Sequence, residues 1–193
     1  MRNLSALCLA LAWSTISLCT APVASAAEAY AIDGAHSAVA FKISHLGLSW
    51  THGRFNELTG EFVIDAADPA KTSINVEIKA DSIDTGNKMR DDHLKSPDFL
   101  NTKEFPLVTF KSTAVQPIQN GYRVTGDFTL HGVTKALTFD LVGGRTGEFP
   151  QGVHRTGYST ELKLKRSEYG IDKMLDLIGD DVYINISFEG TRK

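Results

Sequence analysis

Cysteine is almost missing from this chain of 193 residues. The two cysteines, Cys8 and Cys19, both fall within the first 26 residues. The rest of the chain therefore has no thiol for a disulfide, a thiolate nucleophile or a cysteine-ligated metal. A secreted chain without disulfides must rely on a hydrophobic core, and the 167 residues after Ala26 are enough to bury one.

The motifs of common catalytic and metal sites are also missing. The six histidines lack the paired spacing of a zinc protease or a zinc finger, and no serine lies in a nucleophile-elbow pattern. Asp91, Asp92 and His93 are consecutive, so on a helix their side chains point in different directions and cannot easily coordinate one ion together. We predict no catalytic residue, no metal and no cofactor, although an enzyme whose residues meet only on folding stays open.

The chain has no strong charge of either sign. Its formal net charge is −3 at pH 7. It becomes −4 without the first 26 residues, because Arg2 is the only charged side chain among them. This balance gives no support to binding of nucleic acid or to attraction by anionic membranes.

No apolar run is long enough to predict a stable membrane span. The most apolar stretch, residues 4–18, is interrupted by hydroxyl residues, whereas a span needs about 18 or more nearly unbroken apolar residues. Arg2 precedes this stretch and the small residues Ala24-Ser25-Ala26 follow it, which is the layout of a secretory signal peptide. We predict cleavage after Ala26 and a single domain over residues 27–193. We expect that domain in the periplasm, or secreted where there is no outer membrane.

Alternation of apolar and polar residues is abundant. In the clearest run, Val182, Ile184, Ile186 and Phe188 alternate with polar residues, as in a strand with one buried face. Similar alternation occurs at residues 39–45, 58–64, 74–80, 122–130, 137–141 and 158–164. A sheet with one solvent-exposed face and one buried face is typical of antiparallel pairing, and closing such a sheet into a barrel removes its exposed edges. We predict an all-β fold, an antiparallel eight-stranded barrel whose interior is packed or holds one small ligand.

Residues 86–101 interrupt the alternation with a charged run that ends in Phe99 and Leu100. We predict a short helical insert that is capped by Asp84 or Thr85 and that covers the barrel with its apolar side. Its charged residues are expected to be solvated and to contribute little.

Two further features are predicted at the ends of the barrel. Residues 172–179 place Met174 and Ile178 at helical spacing, which predicts a small segment that plugs the barrel end. His45 continues the inward parity of the first strand and should lie at a barrel mouth. There it either meets a ligand head group or hydrogen-bonds a carbonyl or a water.

Four stretches of the chain resemble the YceI-like family of lipid (polyisoprenoid)-binding proteins. They are "ISHLGLSWTHGRFNELTGEF", "MRDDHLKSPDFLNTKEFP", "FTLHGVTKALTF" and "RSEYGIDKMLDLIGDDV", and the likeness extends over residues 30–189. The resemblance implies an extended lipocalin-like barrel that carries a long isoprenoid chain in its apolar interior. The cargo would be a quinone tail or a polyprenyl phosphate.

Residues with inward parity, together with apolar residues of the insert and the plug, are the candidate lipid-binding residues. They are Phe41, Ile43, His45, Phe62, Ile78, Phe99, Leu100, Phe110, Phe128, Leu130, Phe139, Met174, Ile184, Ile186 and Phe188. Two alternatives stay open: a barrel enzyme acting on an apolar lipid or ester, and a stress-related exported protein with a packed interior. Whether the barrel forms a homodimer also stays open.

Overall fold

Ten β-strands and one α-helix make up the computed structural model, which describes residues 27–193. The strands are β1 (Glu28–His45), β2 (Ser49–Phe55), β3 (Leu58–Ile64), β4 (Ser73–Lys79), β5 (Ile83–Asp84), β6 (Leu107–Ile118), β7 (Gly121–Leu130), β8 (Val133–Glu148), β9 (His154–Lys165) and β10 (Ile178–Arg192). The helix is α1 (Lys88–Leu94), and 3₁₀ turns lie at Pro69–Lys71, Ala80–Ser82 and Arg166–Tyr169. The predicted signal peptide lies outside the described residues.

Eight of these strands close into a barrel in which every neighbouring pair is antiparallel. Their order is β1, β3, β4, β6, β7, β8, β9 and β10, and β10 pairs back with β1. The predicted all-β, eight-stranded antiparallel barrel is therefore confirmed. The two remaining strands continue the wall beside β1, because β2 pairs with β1 and β5 pairs with β2.

Strand β1 changes its partner along its length, and this divides the barrel into two halves. Residues 28–31 pair with β3, whereas residues 39–45 pair with β2. Between these segments the pairing with β10 is irregular, and Asp33 Oδ1 accepts the N–H of Ala35 at 3.0 Å. In the first half β3 completes the wall. In the second half β2, β5 and the segment 85–106 complete it.

The half of the barrel closed by β3 is filled by four aromatic side chains, Tyr30, Phe62, Tyr158 and Phe188, which we call the aromatic core. The ring of Phe62 lies 5.0 Å from that of Tyr30, 5.5 Å from that of Phe188 and 6.0 Å from that of Tyr158. All four residues are at most 5% exposed. Gly190 makes room for this packing, since a Cβ there would lie 2.5 Å from the Phe62 ring.

The predicted helical insert is present, but its cap differs from the prediction. Asn87 is the N-cap, and its Oδ1 accepts the N–H of Arg90 at 3.1 Å. Asp84 instead belongs to β5, and Thr85 donates its N–H and its hydroxyl to Asp91 Oδ1 at 2.9 and 2.6 Å. The expectation that Asp91 is only a solvated charge is therefore wrong, because this carboxylate ties α1 to Thr85, the residue that follows β5.

The predicted plug is present as a turn instead of a helix. Met174 has a φ of 58°, in the left-handed region, and its carbonyl accepts the N–H of Ile178 at 2.8 Å. Helical spacing therefore predicted the position of the segment but not its backbone conformation. Leu177, one residue before β10, is 40% exposed.

Candidate apolar cavity

A cavity of about 610 Å³ occupies the half of the barrel that the aromatic core leaves unfilled. Its long walls are the inward side chains of β1, β7, β9 and β10, and β2 and β5 contribute one side. The segment 85–106, which contains α1, closes the gap between β5 and β6, and the turn at 171–178 narrows the end. Pockets for small apolar ligands have volumes of roughly 300–1,000 Å³, so this cavity is of the size that holds one such molecule.

Eleven of the fifteen candidate residues line this cavity. They are Phe41, Ile43, His45, Ile78, Phe99, Leu100, Phe128, Leu130, Met174, Ile184 and Ile186. They come from β1, β4, β7 and β10, from the insert and from the turn at 171–178, so only the closure of the barrel brings them together.

The other four candidates pack elsewhere in the barrel. Phe62 and Phe188 belong to the aromatic core. Phe110 is 7% exposed, its ring lies over Gly126, and the ring of Phe139 packs against it at 5.0 Å. Alternation placed all four on the inner face correctly, but it carries no information on depth, so it could not separate packed core from cavity wall.

The cavity wall also contains residues that the sequence analysis did not select. They are Val39, Thr51, Phe55, Ile83, Thr85, Asn87, Met89, Arg90, His93, Leu94, Val108, Leu162, Leu164, Arg166, Ile171, Ile178 and Val182. Leu162 and Leu164 lie in the alternating run 158–164 and Val182 precedes Ile184 in the last run, so the same signal was available for them. The residues from β5, α1 and the 3₁₀ turns have no periodic signal, because these elements are too short to show an alternating pattern.

Arg166 is the most deeply buried charge in the cavity wall, with 4% of its surface exposed. Its guanidinium donates to the carbonyls of Ile171, Lys173, Ile178 and Gly179 at 2.8–2.9 Å. Burial lowers the pKa of Arg166 from its usual value, and the nearby Asp180 opposes this effect. Because its bonds reach both ends of the turn at 171–178, Arg166 fixes the position of the cavity end.

Polar side chains gather where α1, the β1–β2 hairpin and the turn at 171–178 meet, which is the mouth of the cavity. They include His45, Thr51, Asn87, Arg90 and His93. Arg90 is partly engaged, since its Nε donates to Thr85 Oγ1 at 2.7 Å. The mouth therefore offers several donors and acceptors to a polar group at the end of an apolar ligand.

His93 is held at this mouth by two neighbours. Its Nε2 lies 3.0 Å from Asp98 Oδ2, and its ring meets the ring of Phe99 edge-on at 4.9 Å between centroids. The bond from His93 holds the pKa of Asp98 below its usual value. The contact with Phe99 joins the polar mouth to the buried apolar wall.

Residues 27–193 contain no group of three or more His, Cys, Asp or Glu side chains arranged to hold an ion. Within the same residues, α1 is the one α-helix, and no helix there has the length and apolar character to cross a bilayer. The residues that line the site make it an apolar cavity with a polar mouth.

Known proteins resemble this chain in sequence and in structure. A UPF0312 protein of Shewanella sp. (strain ANA-3) is 41% identical over 176 residues, which cover 90% of this chain and 92% of that protein. BcnA from Burkholderia cenocepacia has a similar crystal structure, with a TM-score of 0.74 at 26% identity over 82% of this chain and 98% of BcnA. A polyisoprenoid binding domain from Saccharophagus degradans shares the fold, with a TM-score of 0.64 at 16% identity over 85% and 98% of the two chains.

The family assignment rests on most of the barrel. The YceI-like domain matches residues 30–190, from the first residues of β1 to the end of β10. This match confirms the resemblance found in the four sequence stretches. The chain belongs to the YceI-like domain family.

Proposed function

We propose that this protein is an exported, non-catalytic carrier that holds the chain of an isoprenoid lipid in its apolar cavity. The cargo would be the tail of a quinone or a polyprenyl phosphate, and its head would lie at the mouth. The observation that carries the proposal is the unequal filling of the barrel. The aromatic core packs one half, whereas apolar side chains in the other half surround about 610 Å³ of open space.

The energetics of burial support a long apolar ligand. Each buried methylene contributes about 0.8 kcal/mol, so ten chain carbons offer ~8 kcal/mol before the cost of lost motion is subtracted. The Saccharophagus domain that shares this fold is described as polyisoprenoid-binding, and at 16% identity it lends support by analogy only. A chain of this kind cannot cross an aqueous compartment unshielded, and an exported barrel would shield it.

The hydroxyl group of Thr85 near the mouth does not favour the enzymatic alternative. Thr85 Oγ1 donates to Asp91 and accepts from Arg90, so this hydroxyl is engaged in holding the insert. His93 pairs with Asp98, as a general base would pair with an orienting carboxylate, but both side chains are about half exposed. We derive no reaction from this pair, and catalysis remains an alternative to the carrier proposal.

Extraction of the purified protein with organic solvent, followed by mass spectrometry, tests the proposal. A polyprenyl species at about one per barrel is the expected result. A clean extract, together with no saturable uptake of quinones or polyprenyl phosphates from detergent solution, would refute it. Turnover of such a lipid by the protein alone would favour the enzyme instead.

Export is a separate part of the proposal. It is supported by the apolar stretch and by the small residues before residue 27. N-terminal sequencing of the protein recovered from the periplasm should give Ala27 as the first residue. A chain that starts at Met1, or an acylated chain that starts at Cys19, would disprove cleavage after Ala26.

A further inference from the structure

Exposed apolar side chains surround the mouth of the cavity. They lie on three adjacent segments: Leu46 and Leu48 on the β1–β2 hairpin, Met89 on α1, and Leu175 and Leu177 on the turn before β10. We call these five residues the rim. Their exposed fractions run from 40% for Leu177 to 84% for Leu48, so each presents apolar surface to its surroundings.

The rim is a continuation of the cavity wall. Met89 itself lines the cavity, and the wall residues His45 and Met174 each directly precede a rim residue. The hairpin and the turn are joined by a backbone hydrogen bond, from Leu46 N–H to the carbonyl of Leu177, at 2.7 Å. An apolar ligand that enters or leaves through the mouth therefore passes directly between rim side chains.

Behind the rim, on the outer surface of β1, β2 and β10, lies a cluster of two aromatic residues and a lysine. The rings of Trp50 and Tyr183 meet edge-on at 5.4 Å, and Lys42 Nζ lies 5.0 Å from the first ring and 5.6 Å from the second. Aromatic rings with a polar edge and lysines with long apolar stems are the side chains that favour the boundary between lipid and water.

The position of the rim relative to the cluster fits shallow insertion into a bilayer. Leu46 and Leu48 lie in the turn beyond the paired residues His45 and Ser49, so Leu48 extends past Trp50 by at most about 7 Å, the length of two extended residues. Interfacial protein segments bury their apolar side by about 5–10 Å. If Trp50 and Tyr183 lie at the headgroup level, Leu46 and Leu48 would therefore reach the start of the acyl chains.

Two lysines near the rim are paired with carboxylates, which weakens their attraction to an anionic surface. Lys88 pairs with Asp92 at 2.8 Å, and Lys173 pairs with Asp98 at 3.5 Å. Asp176 also directly follows Leu175 in the rim. Attachment at this surface would therefore depend on burial of apolar side chains and only weakly on lipid charge or salt.

We propose that the rim docks the protein on a lipid bilayer, with the cavity mouth facing the membrane. This inference rests on the proposed carrier function and extends it, because the cargo would then pass between bilayer and cavity without crossing water. The partner is the zwitterionic bilayer surface itself. A second copy of the chain on the same surface is the competing occupant.

Flotation with phosphatidylcholine vesicles that contain no isoprenoid lipid tests docking without any cargo. The wild type and all variants carry the same N-terminus, so residues 1–26 contribute equally. Leu48→Asp should weaken partition into the vesicles by about tenfold or more, which is the effect of losing one buried leucine. Phe149→Asp is the matched control, because Phe149 is 77% exposed at the opposite end of the barrel, and it should partition like the wild type.

A second readout uses Trp50. In a Trp13→Phe background, brominated lipids should quench the fluorescence of Trp50. The salt dependence is a third readout: the partition of the wild type should change less than about threefold between 0.05 and 0.5 M salt, because docking is mainly apolar. No partition of the wild type, equal partition of Leu48→Asp, or partition that requires anionic lipid would overturn the proposal. A concentration-dependent dimer that Leu48→Asp dissociates would assign the rim to a second copy instead.

Uptake of a short isoprenoid from detergent solution, measured on the same variants, separates the two proposals. Leu48→Asp should bind this probe as well as the wild type does, since Leu48 is not part of the cavity wall. If the wild type docks on vesicles but takes up no probe, the carrier proposal fails and docking stands. If it takes up the probe but does not dock, docking alone fails.

Discussion

The phenyl ring of Phe41 lies directly over Gly53, its cross-strand partner in β2. A Cβ at Gly53 would be 2.4 Å from Phe41 Cζ and 2.9 Å from Thr85 Cγ2, so no side chain fits between them. Phe41 also lines the cavity. The missing side chain of Gly53 therefore helps to set the width of the site.

Gly53→Ala should reduce the space for a ligand. The added methyl group would push the Phe41 ring inward, because the end of a ring moves more readily than the backbone of β2. We expect weaker uptake of a long isoprenoid with a loss of stability of about 1–3 kcal/mol. Binding titrations with isoprenoids of increasing length would measure this, and a loss that is equal at every length would contradict it.

Phe188 and Phe128 should respond differently to truncation, although both face inward. Phe188 is 4% exposed within the aromatic core, so Phe188→Ala should cost about 3–5 kcal/mol in the free energy of unfolding. Phe128 borders open space and loses fewer contacts, so Phe128→Ala should cost less and should change lipid uptake more. Denaturant unfolding and binding titrations on both variants test this contrast, which would be refuted by equal losses of stability.

Asp91 and Asp92 are neighbours on α1 with different contacts, so substitutions at the two positions can be compared directly. Asp91 accepts two hydrogen bonds from Thr85, whereas Asp92 pairs with Lys88 on the exposed face. Asp91→Asn should destabilise the insert by about 1–2 kcal/mol and speed lipid release, since a seven-residue helix is not stable alone. Asp92→Asn should change stability by less than about 0.5 kcal/mol. Limited proteolysis and lipid release would show the difference.

Arg166 should be needed to hold the turn at 171–178 at the end of the cavity. Arg166→Met removes the donors to four backbone carbonyls and leaves these groups without their partner. Hydrogen bonds to charged groups contribute roughly 1.5–3 kcal/mol, so we expect a total loss of at least about 3 kcal/mol. Arg166→Lys should recover only part of this, because one ammonium cannot reach all four carbonyls. Hydrogen exchange at residues 171–178 should increase in both variants, and unchanged exchange would contradict this role.

Asp33 should make the barrel sensitive to acid. Arg155 and then His36 hold the pKa of this carboxyl well below its ordinary value of 3.8. A group with a depressed folded pKa stabilises the native state above its unfolded pKa, and this contribution is lost as pH falls toward the folded value. The stability difference between wild type and Asp33→Asn should therefore shrink below about pH 4. In an Arg155→Met background most of this pH dependence should disappear, and its persistence would disprove the assignment to Arg155.

Alternation in the sequence was sufficient to predict the barrel. It assigned Val39, Phe41 and Ile43 to one face of β1, and closure of the sheet places that face inside. The insert was also predictable, because its charged run breaks the alternation. Its cap was not, since Asp84, Thr85 and Asn87 are all good capping residues and only the position of β5 selects among them.

The sequence by itself determined the class of fold and the inward face of most barrel strands, because these depend on local periodicity. The tertiary structure decided which inward residues surround open space. Phe62 and Phe41 are both phenylalanines on the inward face of their strands. Phe62 nevertheless fills the barrel over Gly190, whereas Phe41 borders a cavity. The difference arises where β1 stops pairing with β3 and begins to pair with β2. Such a change of pairing partner depends on contacts between residues distant in sequence, which no local pattern contains.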